Sequence, residues 1–131
     1  IDGIDEEGLV KMLKDPDEWV TSWAVRLLGE NEKPSATALR EFVRLAEETE
    51  SPVVRRHLAS VLQRTPLNQR PAVLSHLLGR SEDAGDPNLP FLYWYAAEPV
   101  VAADETAAIR LLAKTKIPKV RQFISRRLAS K

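Results

Sequence analysis

Apolar residues recur along this chain at three- and four-residue intervals, interrupted by proline, glycine and short polar stretches. Between Glu6 and Lys14, the spacing of Leu9, Val10 and Leu13 predicts a short amphipathic helix, with Asp5 as its cap. Asp15-Pro16 ends it, and Pro16 suits the first turn of a second helix. There Trp19, Val20, Trp23, Ala24, Leu27 and Leu28 follow the i, i+3, i+4, i+7 pattern as far as Gly29, which places both tryptophans in the core. Ser35 caps a third helix carrying Ala38, Leu39, Phe42, Val43, Leu45 and Ala46 to about Glu48. A fourth, from Pro52 to about Arg64, turns Val53, Val54, Leu58, Ala59, Val61 and Leu62 inward and Arg55, Arg56 and Arg64 outward.

The next pair opens near Asn68, with Val73, Leu74, Leu77 and Leu78 as its buried stripe and Gly79 at its end. A polar loop, Arg80 to Gly85, leads into the most unusual stretch, Asp86-Pro87-Asn88-Leu89-Pro90-Phe91-Leu92-Tyr93-Trp94-Tyr95. Asn88 is placed to cap an aromatic helix of about three turns, which Pro99 stops or kinks. Phe91, Leu92, Tyr95 and Ala96 share one side of it, with Tyr93 and Trp94 on the shoulder. A helix apolar nearly all round is covered on several faces, so it is expected at the centre of its neighbours. Asp104 then caps a helix with Ala107, Ala108, Leu111 and Leu112 inside, and Pro118 starts a last one with Val120, Phe123, Ile124 and Leu128 inside.

No segment shows the period-two alternation of a strand. The fold class is all-α, with eight helices in four hairpins over approximately 5–29, 35–65, 68–102 and 104–130. The second helix of each hairpin opens near a proline, at 16, 52, 87 and 118, with separations of 36, 35 and 31 residues. Superimposing these helices pairs Trp19 with Val54 and Val120, and Trp23 with Leu58 and Ile124. A recurring hairpin that buries its face only against its neighbours is an α-α superhelix, a right-handed solenoid in a single domain, 1–131.

Composition narrows the chemistry more than it names it. The chain has no cysteine, which excludes disulfides, thiolate metal sites and a Cys nucleophile within these residues. No apolar run reaches the length of a membrane span, so no direct membrane insertion is expected and the segment reads as soluble. The neutral total hides an asymmetry: residues 1–50 hold thirteen acids and six bases, residues 51–131 six acids and thirteen bases. Starting on Ile1 and ending on a basic helix that reaches Lys131, the chain reads as a segment of a larger protein.

His57 and His76 lack a metal-binding spacing, and the acidic loop Glu82 to Asp86 lacks that of a calcium loop, so neither metal nor cofactor is assigned. No carboxylate pair stands out as an acid/base couple, and no catalytic residue is assigned. The candidate interaction surface comprises Arg55, Arg56, Tyr93, Trp94, Lys119, Arg121, Arg126 and Arg127. For Trp94 and Tyr95 core packing competes with a role as a stacking surface.

Asp15-Pro16, Ser51-Pro52-Val53-Val54-Arg55 and Ile117-Pro118-Lys119-Val120-Arg121 resemble the opening of the second helix in HEAT repeats, and the likeness extends over nearly the whole chain. The third unit departs from it, since Phe91-Leu92-Tyr93-Trp94-Tyr95 replaces the Val-Arg core. Residues 86–128, chiefly Asp86-Pro87-Asn88-Leu89-Pro90, Trp94-Tyr95, Glu98-Pro99-Val100, Lys116 to Ile124 and Arg126-Arg127, also resemble the helical-repeat segment of exported bacterial PVC-type haem-binding, membrane-bound dehydrogenase proteins. In that family a dehydrogenase-like β-propeller precedes the repeats and a c-type cytochrome module follows them.

The resemblance implies a non-catalytic scaffold joining these two modules, with an exported or periplasmic parent and no redox chemistry in this fragment. Its partners would be other domains of the parent chain or another protein. The alternative is a nucleic-acid-binding repeat domain, with the basic second half holding phosphates.

Overall fold

The computed structural model describes residues 5–30 and 34–130; Ile1 and Lys131 lie outside them. Regular structure among the described residues is entirely helical: α1 (Glu6–Met12), α2 (Glu18–Leu28), α3 (Ala36–Glu48), α4 (Pro52–Leu62), α5 (Arg70–Leu77), α6 (Leu89–Ala103), α7 (Glu105–Lys114) and α8 (Pro118–Ala129). Two 3-10 turns, Leu67–Gln69 and Ser81–Gly85, flank α5. Successive helices pair as hairpins, and the contacts divide the chain into two compact units, Ile1–Pro66 and Leu67–Lys131.

In the first unit α2 packs along α4 and α1 meets α3. Leu9, Leu13, Val25, Leu28, Phe42 and Leu58 form its core. In the second unit α6 touches α5, α7 and α8, so the aromatic helix is the element the others cover. It runs through Pro99 to Ala103, so of the two outcomes expected of Pro99, a stop or a kink, the stop does not occur. A proline inside a helix costs about 3 kcal/mol, whereas burying a valine contributes about 1.5–3 kcal/mol. Val100 and Val101, both buried in the last turn, together outweigh the break.

One local device recurs in all four hairpins. The side chain of Asp15 accepts from the Asp17 N–H (2.8 Å), Thr49 from Ser51 (3.1 Å), Asp86 from Asn88 (2.8 Å) and Thr115 from Ile117 (3.2 Å). Each donor belongs to the residue just before a second helix, so the same short turn sets the entry of α2, α4, α6 and α8. Asp86 also accepts from the Leu89 N–H at 2.9 Å, which makes its carboxylate the cap that Asn88 was expected to supply.

The turns also correct the register of the repeat. Pro52 and Pro118 are the first residues of their helices, whereas Pro16 and Pro87 precede the residue before the helix. Aligning Pro16 with Pro52 would slip α2 by two residues, and pairing Trp19 with Val54 slips it by one, about 100° around its axis. Aligned on the turns, Trp19 corresponds to Val53 and Trp23 to His57. Both tryptophans consequently lie outside the core, 59% and 43% exposed, and Ala24, Val25 and Leu28 take the buried positions.

Candidate functional site

The elbow between paired helices leaves carbonyl groups that need donors. In three hairpins one comes from the residue six places further on: Arg55 Nη1 reaches the Thr49 carbonyl (3.3 Å), Arg121 Nη2 the Thr115 carbonyl (3.0 Å) and Thr21 Oγ1 the Asp15 carbonyl (2.9 Å). Arg55 is thus an internal brace, 2% exposed, and leaves the candidate surface to which the sequence assigned it. Its spacing carried the signal. Arg55 precedes Leu58, Ala59 and Leu62 by three, four and seven residues, which puts it in the middle of the buried stripe. Arg56 is exposed, and Arg121 is exposed while making the equivalent bond.

On α6 the inward side belongs to Leu89, Pro90, Tyr93, Ala96, Ala97 and Val100, so Tyr93 also leaves the candidate surface and Tyr95, 56% exposed, turns out. Tyr93 is fully buried because its hydroxyl donates to Oδ2 of Asp83 at 2.6 Å, a carboxylate itself buried in the 3-10 turn. A run of five apolar or aromatic residues, Phe91 to Tyr95, cannot show which faces inward; a distant polar partner decides it. Arg70 adds a second fixed point, its Nη1 donating to the Ala96 carbonyl at 3.0 Å. Burial lowers the pKa of its guanidinium below the ordinary arginine value.

Trp94 is half-buried, its ring centroid 5.4 Å from that of Phe123, and Phe91 stands 6.2 Å from the same ring. Lys119 places its ammonium 4.4 Å above Phe91, a cation–π contact on the α6–α8 seam. Arg127 pairs with Glu98 at 3.4 Å. Arg126 is exposed. The six cations of the anticipated basic face therefore divide: Arg55, Arg121 and Arg127 are held by intramolecular partners, Lys119 lies over a ring, and Arg56 and Arg126 sit in different units.

The second unit contains a feature that the sequence reading missed, a groove of about 560 Å³ between α5 and α7. Leu67, Pro71, Ala72, Val100, Ala107 and Leu111 supply apolar lining, Asp104 is among its polar residues, and Arg110 and Lys114 stand along α7. Leu67, Arg110 and Lys114 are exposed. The volume falls in the range of small ligand pockets, about 300–1,000 Å³, and an apolar floor beside two cations suits an apolar group attached to an anion. Its signal in the sequence was weak, because it depends on small residues, Ala72 and Ala107, opposing one another across two helices.

Among the described residues no group of three or more His, Asp or Glu could hold a metal ion, and no helix is long and apolar enough to cross a membrane. A family model described as HEAT repeats matches residues 6–88. No curated protein and no solved structure matches the chain.

Proposed function

The chain belongs to the HEAT-repeat family, and from that premise we propose that it is a non-catalytic scaffold that captures a partner protein in the α5–α7 groove. HEAT repeats generally serve in protein interaction. The observation that carries this reading is the groove itself: an apolar lining, accessible at Leu67, with Arg110 and Lys114 one turn apart on α7. A partner segment offering apolar side chains followed by Asp or Glu matches that order, with the apolar part giving affinity and the charges giving direction.

Selection of a displayed peptide library on the chain tests the proposal. Apolar–acidic sequences should be enriched, and Ala107→Trp, which fills the groove, should abolish their binding while leaving the far-UV spectrum helical. Enrichment that ignores Ala107→Trp, or no enrichment, overturns it.

The likeness of residues 86–128 to PVC-type haem-binding, membrane-bound dehydrogenase proteins supports a narrower version, in which the partners are a propeller-type domain and a c-type cytochrome module of the same polypeptide. The contacts of Trp94 and Phe91 with Phe123 favour it, because they join the two separate stretches that carry the likeness into one patch. The flanking coding sequence tests this version: it should hold propeller repeats upstream and Cys-x-x-Cys-His downstream, and their absence would remove it. Phosphate binding is less well supported, since half of the cations invoked for it already have internal partners.

A further inference from the structure

A second concave site lies within the first unit, where α2 meets α4. Val61 approaches Gly29 closely there, and at that contact opens a cleft of about 210 Å³ lined by Arg26, His57, Ser60, Val61 and Arg64. Along α4 and the turn that follows it, His57, Ser60, Val61 and Arg64 fall at i, i+3, i+4 and i+7, so one helix face supplies four of the five. Arg26 comes from the last turn of α2. Val61 is buried while Arg26, Ser60 and Arg64 are exposed, which leaves the cleft apolar at its base and polar at its mouth. The lining is of one electrostatic kind: two guanidiniums, an imidazole and a hydroxyl, with no carboxylate. Neither guanidinium has a hydrogen-bond or ion-pair partner among the described residues. His57 Nδ1 donates to the Val53 carbonyl at 2.9 Å, so Nε2 is the ring atom left to meet a ligand. A cation near a helix C-terminus also offsets the helix dipole, but that effect acts on each helix separately and asks for no hollow between them.

From this lining we propose that the cleft binds a phosphoryl dianion, with Arg26 and Arg64 gripping its oxygens and Ser60 and His57 Nε2 completing the hydrogen bonds. Charge selects the dianion. A phosphomonoester carries about −1.5 to −2 at neutral pH, which two arginines balance, whereas a phosphodiester carries a single negative charge and leaves one guanidinium uncompensated. Size agrees, because the cleft is smaller than ordinary ligand pockets of about 300–1,000 Å³ and suits a phosphoryl group on a stem. Neither arginine belongs to the basic face considered above. The site lies wholly within the first unit, so it goes beyond the groove-binding reading and stands independently of it.

Amide NMR titration of the whole chain with N-acetyl-phosphoserine amide, inorganic phosphate and a dinucleoside phosphodiester, at constant ionic strength, tests the proposal. Both dianions should shift the amides of Arg26, Ser60 and Arg64, and the tighter of them should bind at least about tenfold better than the diester. A serine ester that binds more tightly than free phosphate identifies a phosphorylated side chain as the source of the group; free phosphate that binds as well or better identifies the small anion, and either result supports the cleft. Arg26→Ala and Arg64→Ala should each weaken binding about tenfold or more, and Arg64→Lys, which keeps the charge without the fork, by less. Arg56→Ala, exposed on α4 but outside the cleft, should change nothing. Because Arg26, Arg56 and Arg64 are all exposed, each variant should keep the helical spectrum of the parent. Failure of both dianions to bind overturns the proposal. So does binding that survives Arg26→Ala and Arg64→Ala, an equal loss in Arg56→Ala, or a diester held as tightly as the dianions.

Discussion

Gly29 lies so close to Val61 that a Cβ added to the glycine would stand 1.8 Å from the valine Cγ2. The missing side chain lets α2 and α4 approach, and stacking in the first unit depends on it. Gly29→Ala should therefore destabilise the protein by about 1–3 kcal/mol, the usual range for overpacking. Urea denaturation would measure it, and Gly29→Ala combined with Val61→Ala should recover part of the loss. A fall that the second substitution does not reduce would mean that the approach is not what the glycine serves.

Two serines link equivalent helices of the first unit. Ser35 caps α3 by accepting from the Ala38 N–H and donates to the Glu6 carboxylate at the start of α1; Ser51 caps α4 by accepting from Val54 and donates to Glu18 at the start of α2. Ser51→Ala should cost about 1 kcal/mol through the cap. Glu18→Gln keeps an acceptor and should cost less. A double-mutant cycle of Ser51→Ala with Glu18→Ala should show positive coupling; purely additive losses would remove the link between helices.

Arg55 and Arg121 make the same bond in different surroundings, one buried and one exposed. Hydrogen bonds from a charged group contribute about 1.5–3 kcal/mol when buried, and solvent takes over much of that role at the surface. Arg55→Ala should accordingly destabilise by about 2–4 kcal/mol, including lost packing of the stem, and Arg121→Ala by less than about 1 kcal/mol. Equal losses in thermal or chemical denaturation would contradict the assignment of Arg55 as an internal brace.

Tyr93→Phe removes only the hydroxyl that Asp83 accepts. With both groups buried, the substitution should cost about 1–3 kcal/mol, and Tyr95→Phe on the exposed face of the same helix almost nothing. Amide exchange in the Ser81–Gly85 turn should accelerate in the first variant alone.

Helices, hairpins and most buried aliphatic residues were legible in the sequence because 3.6-residue periodicity follows directly from which side must be dry. Asp5, Ser35 and Asp104 were likewise readable as caps, a matter of three or four adjacent residues. What misled was the register of the second helices: proline can stand inside a helix start, as at Pro52, or before the capping residue, as at Pro16, and a slip of one residue was enough to turn exposed tryptophans into expected core. Tyr93 and the α5–α7 groove were out of reach for another reason. The first depends on Asp83 ten residues away, the second on which helices become neighbours, and neither relation leaves a periodic trace.

The side-chain bonds that close the Asp15, Thr49, Asp86 and Thr115 turns each span only two residues of chain. An elbow of that kind can form while the chain is still emerging and is copied whole when a gene segment is duplicated. New units could be gained at any break between hairpins, each arriving with its own bend already written into it.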